Sequence, residues 1–518
     1  MKKSSRTKNS IMNFITSMGG QVLSTILGFA TRTVFIYVLG KQYLGINGLF
    51  SDILQMLSLA ELGIDTAINY KLYKPLAQND IKRVRVLMKF YKQAYCVIGL
   101  IILALGLCLI PFLPTLIKDY DSLEVLGINA VLVFLIYLLQ SVSSYLFFAY
   151  RSAIIKAKQK EYILNIADYA IAILSSLSQM AILLIWKNFI LYTASMIFFN
   201  ILKNMVNAII AQRFYPEVFQ KEDDRLGMDE VKGLLKDCGA LFVYKVNGVV
   251  LKATDNLVLS TFIGLTVVGM YSNYLLFYTT IKKFLNRFYR STTASMGDFY
   301  ATSKVEEGYA FFEIMNYITI ILYGTAAVGI AVTVNEVICC WIGNSYVIPQ
   351  PFPILMGIEV LFVGLKYNLG QIRNVTGVFR QMWYRPAIGA AINLIVSVIL
   401  VQKIGIFGVI LGTIISDLLT NFLLDPSVIH KYSFKDYKPV SVYYKKNLKY
   451  ILILFAVGAV DYYLCSVIIT QYDWISLIIH IGICAVSVPS VFLLLYRKNP
   501  ECKYLLKKMN SLLKKFRR

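Results

Sequence analysis

Hydrophobic stretches alternate with short polar connections along almost the whole chain. About fourteen of them reach the roughly 20 residues that a helix needs to cross the hydrocarbon core of a bilayer. The longest polar stretches, residues 214–236 and 431–446, are too short for a sizeable soluble domain. The pattern predicts an all-α polytopic membrane protein of about 14 transmembrane helices, with spans near residues 10–39, 44–70, 90–116, 123–150, 162–186, 189–212, 237–263, 267–296, 309–341, 350–379, 384–402, 406–429, 447–469 and 473–496.

Lysine and arginine residues crowd every second connection. Most of the 52 basic residues lie at the two termini or beside the connections that follow even-numbered spans. The remaining connections hold only Lys41, Lys118, Lys187 and Lys403. Because short loops rich in lysine and arginine stay on the cytoplasmic side, this alternation predicts an even number of spans with both termini in the cytoplasm.

Composition supports the membrane assignment. The chain has 518 residues, of which 57% are hydrophobic and 16% charged, and its net charge is +23. The alternation explains this positive charge as topology and as contact with anionic lipids of the inner leaflet, so no nucleic-acid partner is expected. The tail over residues 503–518 predicts a basic amphipathic helix on the membrane surface.

A glycine-bounded turn occurs twice. Gly40 and Gly45 flank the connection between spans 1 and 2, and Gly264 and Gly269 flank the one between spans 7 and 8. The same relative position in two six-span halves indicates an internal repeat. The prediction is two six-helix bundles plus a terminal helix pair: an N-terminal lobe over residues 1–215, a C-terminal lobe over 216–435, and spans 13 and 14 with the basic tail over 436–518.

Charged residues within the predicted spans are the candidate site. A charge at mid-membrane costs about 2.5–3.5 kcal/mol on insertion scales, and it usually faces a bundle interior or a cavity. Packing between helices or pairing of opposite charges is the alternative explanation. The cations are Arg32, Lys245, Lys252, Lys366 and Arg373, and the carboxylates are Glu61, Asp168, Asp255 and Glu359.

The cations form a set suited to an anion, since arginine in particular grips phosphate through two parallel hydrogen bonds. The carboxylates either hold these cations or carry a coupling ion, H⁺ or Na⁺. His430 and His480 are single residues and are interpreted as packing residues. The cysteines lack metal-ligand spacing and no Walker A sequence is present, so neither a metal, a cofactor nor an enzymatic activity is expected.

Two stretches resemble bacterial polysaccharide flippases. They are the run from Tyr43 to Asp52, with sequence YLGINGLFSD, and the run from Thr254 to Tyr274. Together with the span count and the polar first helix, they are similar to Wzx-type members of the multidrug/oligosaccharidyl-lipid/polysaccharide (MOP) exporter superfamily. The resemblance implies two helix bundles around a cationic cavity in the bacterial plasma membrane. It also implies that an undecaprenyl-pyrophosphate-linked oligosaccharide moves from the inner to the outer leaflet by alternating access, for surface polysaccharide biosynthesis.

By this resemblance the span cations would meet the pyrophosphate, and Tyr271, Asn273, Tyr274 and Tyr278 would meet sugar. A polysaccharide polymerase and glycosyltransferases are further expected partners. Two relatives of the same fold remain as alternatives: a cation-coupled multidrug exporter, and a flippase for a peptidoglycan or teichoic-acid precursor. A membrane enzyme of polysaccharide synthesis would normally need a large external loop, and all the predicted outer connections are short.

Overall fold

The computed structural model describes residues 3–516 except 59–63, 119, 126, 225, 235–253, 379, 383 and 469–472. All regular secondary structure in these described residues is helical. The helices used below are α1 (Lys3–Leu39), α2 (Lys41–Leu57), α3 (Ile64–Ala77), α4 (Ile81–Leu109), α5 (Leu113–Leu116), α6 (Tyr120–Val125), α7 (Ala130–Leu146), α8 (Ser152–Ala157), α9 (Glu161–Trp186), α10 (Phe189–Phe214), α11 (254–262), α12 (Leu265–Thr302), α13 (Val305–Ile342), α14 (Phe352–Thr376), α15 (Arg385–Ile404), α16 (Ile406–Asp417), α17 (Asp425–Tyr432), α18 (Val440–Ile468), α19 (Trp474–Leu495) and α20 (Pro500–Phe516).

The membrane-spanning character of the chain is confirmed. Among the described residues, 10 helices are long and apolar enough to cross a bilayer, and the number is 11 if the bent pair Ala130–Leu146 and Ala149–Ala157 forms one span. These helices match eleven of the predicted spans. Predicted spans 2 and 7 include residues outside the described part of the chain, and span 8 lies in α12. That helix is continuous, but Lys282, Lys283 and Arg287 interrupt its apolar sequence.

The chain divides into two compact units, Met1–Gly269 and Met270–Arg518. We call them unit 1 and unit 2. The lobe boundaries expected from the sequence, after residues 215 and 435, remain a prediction.

In unit 1, α1 packs along α9, and α9 packs along α10. Polar residues of α1 take part in the α1–α9 contact. The Asn13 side chain accepts a hydrogen bond from the Tyr162 N–H at 2.7 Å, and Asn165 donates to the Thr16 hydroxyl at 3.3 Å. A Cβ on Gly20 would lie 1.7 Å from the Tyr169 ring, so the ring occupies the space that glycine leaves. Asn13 and Thr16 on α1 therefore serve helix packing.

The two repeated turns meet within unit 1. Gly40 and Gly264, which precede α2 and α12, both have positive φ angles, 89° and 125°. A Cβ on Gly45 would lie 2.0 Å from the Leu265 carbonyl oxygen, and one on Gly269 would lie 2.2 Å from that of Lys41. The contact is reciprocal. The carbonyl of Lys41, at the start of α2, faces Gly269, and the carbonyl of Leu265, at the start of α12, faces Gly45. The two turns thus form a locally two-fold contact that depends on glycine.

In unit 2, α13 packs against α14, α18, α19 and α20. Small residues permit the close approach of α13 and α14, as is common between membrane helices. A Cβ on Gly357 would lie 2.5 Å from the Ala327 carbonyl oxygen, and one on Gly364 would lie 2.4 Å from the Tyr323 ring. The terminal helices α18 and α19 therefore pack on the same central helix as α14.

The helix after α16 changes its winding. Residues Leu418–Leu424 form a π-helical turn between α16 and α17. Pro426, which lacks an N–H donor, follows near the start of α17 and favours a break in the regular hydrogen-bond pattern. Such π-helical turns occur frequently at functional sites. This one has an aspartate at each end, Asp417 and Asp425.

Candidate functional site

A cluster of charged side chains lies inside unit 2, on α12, α14 and α16. We call it the charged cluster; its members are Tyr278, Lys282, Glu359, Lys366 and Asp417. Glu359 is hydrogen-bonded to Tyr278, and the opposite charges of Lys282 and Lys366 are within electrostatic range. The Lys366 ammonium lies 3.9 Å from an Asp417 oxygen, and 38% of the Lys366 side chain is exposed. Asn421 on the π-helical turn donates to Asp417. The cluster therefore contains two cations and two carboxylates.

A second ion pair extends this cluster. The Arg385 Nε lies 2.6 Å from the Asp425 Oδ1, and the two side chains are only 9% and 4% exposed. Arg373, Lys366 and Asp417 are also within electrostatic range of Asp425. A buried pair of this kind gives little net stability, but removing one partner leaves an uncompensated charge. The predicted site residues Lys366, Arg373 and Glu359 thus come together in unit 2.

Arg32 lies in unit 1 on α1, half-buried, with Tyr192 of α10 in electrostatic contact. The Tyr192 ring packs edge-on against Phe35, with ring centroids 5.1 Å apart. Lys245, Lys252 and Glu61 lie outside the described residues. Asp255 is 9% exposed at the start of α11, next to Asn256, which donates to Asp52 at 2.5 Å.

Asp168 lines a polar pocket of about 260 Å³ in unit 1, between α9 and α10. Asn207 donates to an Asp168 oxygen at 2.8 Å. The Asn204 Nδ2 and the Asn207 Oδ1 are buried without a hydrogen-bond partner. We call this the amide pocket; its polar lining residues are Lys156, Glu161, Asn165, Asp168, Asn200, Lys203, Asn204 and Asn207, together with Tyr95, Ser144, Tyr145 and Ser152. Unpaired amide groups of this kind can donate to and accept from ligand hydroxyls.

The four predicted sugar-contacting residues are buried, with Tyr271 at 3% exposure, Asn273 and Tyr274 at 0% and Tyr278 at 5%. The Tyr274 hydroxyl donates to Asn335 at 2.6 Å and accepts from the Ile348 N–H at 2.8 Å. In this structure Tyr274 therefore makes internal contacts, and Tyr278 belongs to the charged cluster.

An apolar groove with a volume of about 310 Å³ runs between α13, α14 and α18 of unit 2. Its lining from α14 is Ile354, Gly357, Ile358 and Leu361, which share one helix face. Glu359 and Lys366 project from other positions around α14, so this helix presents an apolar face to the groove and a charged face to the cluster.

One pair was not anticipated from the sequence. His480 on α19 contacts Glu336 on α13, with Nδ1 2.7 Å from Oε2. His430 behaves as expected of a packing residue: its Nδ1 bonds the Pro426 carbonyl, and aromatic rings surround it. One signal in the sequence distinguishes His480 from His430. The stretch around His480, residues 450–496, contains two acids and no lysine or arginine, and this imbalance favours a histidine that is paired with an acid.

No protein-family model and no curated protein sequence matches the chain. Solved structures do match its fold. An inward-facing MATE-family multidrug resistance transporter of the MOP superfamily aligns with a TM-score of 0.62 at 12% identity, covering 80% of this chain and 96% of that one. The Lipid II flippase MurJ, in an inward closed conformation, aligns at 0.59 and 16% identity, covering 94% and 99%. An outward-facing MATE transporter aligns at 0.53 and 14% identity, covering 84% and 97%. The chain is therefore a multi-pass membrane protein with the fold that these MOP-superfamily transporters and the MurJ flippase share.

Proposed function

We propose that the chain is a flippase that moves an undecaprenyl-pyrophosphate-linked oligosaccharide from the inner to the outer leaflet of a bacterial plasma membrane. It would do so by alternating access, with both termini in the cytoplasm, and would transport its substrate without changing it chemically. An H⁺ or Na⁺ gradient would supply the energy, with Glu61, Asp168, Asp255 and Glu359 as the coupling candidates from the sequence.

The observation that carries the proposal is Lys366 in the charged cluster. It lies in the middle of α14, one of the helices apolar enough to cross the membrane. Its ammonium is 3.9 Å from Asp417, which is longer than a direct charge-assisted hydrogen bond, and more than a third of its side chain is exposed. A cation in this position favours an anionic ligand, and Lys282, Arg373 and Arg32 add positive charge inside the two units.

The apolar groove supports a lipid-linked substrate. Such a substrate needs an anion site for its diphosphate and an apolar surface for its isoprenoid chain. Unit 2 offers both on α14: the charged cluster on one side and the groove lined by Gly357, Ile358 and Leu361 on another. Burial of isoprenoid carbon in such a groove is favourable at roughly 25 cal/mol per Å² of apolar surface.

The amide pocket supports a saccharide head group. Its volume, about 260 Å³, suits one or two sugar rings, and its lining is predominantly polar. The Asn204 Nδ2 and the Asn207 Oδ1 are buried there without a hydrogen-bond partner. A site built to hydrogen-bond hydroxyl groups discriminates strongly against ligands that lack them.

The alternative function is drug export. The observation that supports it is the fold that the chain shares with MATE transporters. The fraction of this chain that aligns favours a flippase: 94% of it aligns with MurJ, whereas 80% aligns with the inward-facing MATE transporter. The MurJ match also keeps open a precursor of peptidoglycan or teichoic acid as substrate.

The test is flipping of a fluorescent, short-chain polyprenyl-pyrophosphate glycan in vesicles that contain the purified protein. Lys366→Gln should slow flipping about tenfold or more, the expected effect of losing a hydrogen bond from a charged group. Lys403→Gln, which changes an exposed lysine at the end of α15, is the matched control and should flip at the wild-type rate.

The double variant Lys366→Gln, Asp417→Asn separates binding from packing. If Lys366 only neutralises Asp417, the double variant should recover the wild-type rate. If Lys366 binds the diphosphate, flipping should stay slow. Recovery, or full activity of the single variant, would reject the anion site. Export of a cationic dye without lipid flipping would favour the drug exporter.

A further inference from the structure

Glu336 and His480 form a buried pair between α13 and α19. Their Oε2 and Nδ1 atoms are 2.7 Å apart, and the side chains are 14% and 2% exposed. The other ring nitrogen of His480 is buried without a hydrogen-bond partner. Because 144 residues separate the two in sequence, the contact exists only when α19 is packed on α13.

Other titratable groups near the pair are acids or thiols. They are Cys339 and Cys340 on α13, Asp461 and Cys465 on α18, Cys484 on α19 and Asp473 just before α19. Asp461 is 2% exposed and accepts from the Ser487 hydroxyl at 2.5 Å. Two other helices, α14 and α20, also pack against α13. Their acidic residues have other partners: Glu359 of α14 is hydrogen-bonded to Tyr278, and Glu501 of α20 pairs with Lys446.

Residues 305–342 and 450–496 contain no lysine or arginine, so His480 is the only basic side chain in these membrane-embedded stretches. The net charge of this region therefore depends on whether the pair holds a proton. With one shared proton the pair is electrically neutral overall, either as an imidazolium and a carboxylate or as an imidazole and a carboxylic acid. Without the proton the pair carries a net negative charge that only a neutral imidazole N–H can hydrogen-bond, and buried charge without an opposite charge is unfavourable.

We propose that Glu336 and His480 are a proton-binding site that couples transport to the proton gradient. The pair takes up one proton from water, on Nδ1 or Oε2, when it closes. It returns that proton to water when α19 separates from α13. The binding of a proton rests on the geometry of the pair alone, whereas the link to transport rests on the proposed function.

Glu359, one of the coupling candidates from the sequence, is less suited to this role. It lies within electrostatic range of two cations, Lys282 and Lys366, which offset its negative charge when no proton is bound. Among the described residues, the ion pair of Glu336 is with His480 alone. The comparison predicts that loss of the Glu336 carboxylate removes proton coupling more completely than loss of the Glu359 carboxylate.

The first experiment follows protonation in the purified full-length protein by infrared difference spectroscopy between about pH 5 and about pH 9, the range around a histidine's ordinary titration. The wild type should show a coupled carboxyl and imidazole titration. Glu336→Gln and His480→Gln should each abolish it, and His430→Gln, the matched histidine control, should retain it. A titration that is unchanged in both pair variants would overturn the proposal.

His480→Gln also protects the test against misfolding, because its amide can still donate to Glu336. Thermal unfolding identifies variants that retain the fold. If Glu336→Gln does not fold, His480→Gln alone decides the result: the carboxyl band must change its titration midpoint in that variant, and an unchanged midpoint rejects the pair.

The second experiment measures flipping of the polyprenyl-pyrophosphate glycan with and without an imposed pH gradient. The gradient should accelerate the wild type and leave Glu336→Gln and His480→Gln at their gradient-free rate. If the wild type flips equally with and without the gradient, the coupling role is rejected. If it flips nothing while the infrared titration still depends on the pair, the proposed substrate is wrong and the proton site stands.

Discussion

The reciprocal glycine contact between α2 and α12 makes a quantitative prediction about unit 1. A methyl group on Gly45 would lie 2.0 Å from the Leu265 carbonyl oxygen, and one on Gly269 would lie 2.2 Å from the Lys41 carbonyl oxygen. Both obstructing atoms belong to the backbone, so no side-chain rotation relieves the clash. Reaching ordinary van der Waals contact requires the two helix starts to separate by about 1 Å or more.

Gly45→Ala and Gly269→Ala should therefore each destabilise the protein by about 1–3 kcal/mol, the usual effect of overpacking. The effects should not add. Once one methyl group has separated the helices, much of the space for the second already exists, so the double variant should lose clearly less than the sum of the single variants.

The matched control is Gly19→Ala on α1, where a Cβ would meet nothing within 4 Å. Alanine in a helix interior is favoured over glycine by about 0.5–1 kcal/mol, so this variant should be neutral or slightly stabilised. Reversible unfolding of the purified protein, followed by protease accessibility in lipid nanodiscs, measures all four variants. Equal stability of Gly45→Ala and Gly19→Ala, or full additivity in the double variant, would refute the reasoning.

Two further predictions concern topology and acid stability. In a cysteine-free background, a cysteine at Lys187 should react with an impermeant reagent from outside and one at Arg83 should not; outside labelling at Arg83 would overturn the charge-based orientation. Hydrogen bonds from the Ser476 hydroxyl and N–H lower the pKa of Asp473, which caps α19. The stabilisation by this cap is present above the ordinary aspartate pKa and is lost as the pH falls through the lowered value, so Asp473→Asn should show a smaller acid-induced drop in melting temperature than the wild type. An identical drop in both proteins would show that the cap is not acid-sensitive.

The membrane-spanning helices could be predicted because the signal is local. A stretch of about 20 apolar residues has few alternatives to a transmembrane helix. The sequence was less informative for α12. Lys282 was not among the candidate cations, although it lies within predicted span 8, and the structure places it inside one helix from Leu265 to Thr302. Lys282 remains in the helix because Tyr278 and Glu359 provide polar neighbours.

The contacts that define the candidate sites depend on tertiary structure and were only partly predictable. Lys366 and Glu359 stood out because a charge within a span is conspicuous. Their partners were missed, although Arg385 lies in predicted span 11 and Asp417 and Asp425 lie in predicted span 12, because a hydropathy pattern does not show which spans are in contact. The amide pocket was missed except for Asp168, because neutral asparagines carry no charge signal in a hydropathy pattern.

The separation of charge within unit 2 bears on how coupling would work. The charged cluster on α12, α14 and α16 contains two lysines, whereas residues 305–342 and 450–496, which carry the Glu336–His480 pair, contain no lysine or arginine. If the two sites were adjacent, a bound phosphate would stabilise the proton and oppose its release. The α13–α14 contact connects the two sites directly. There Gly357 lies against the Ala327 carbonyl and Gly364 against the Tyr323 ring. At these two points the helices are in direct contact, so a movement of α13 caused by proton release would press on the helix that carries Lys366.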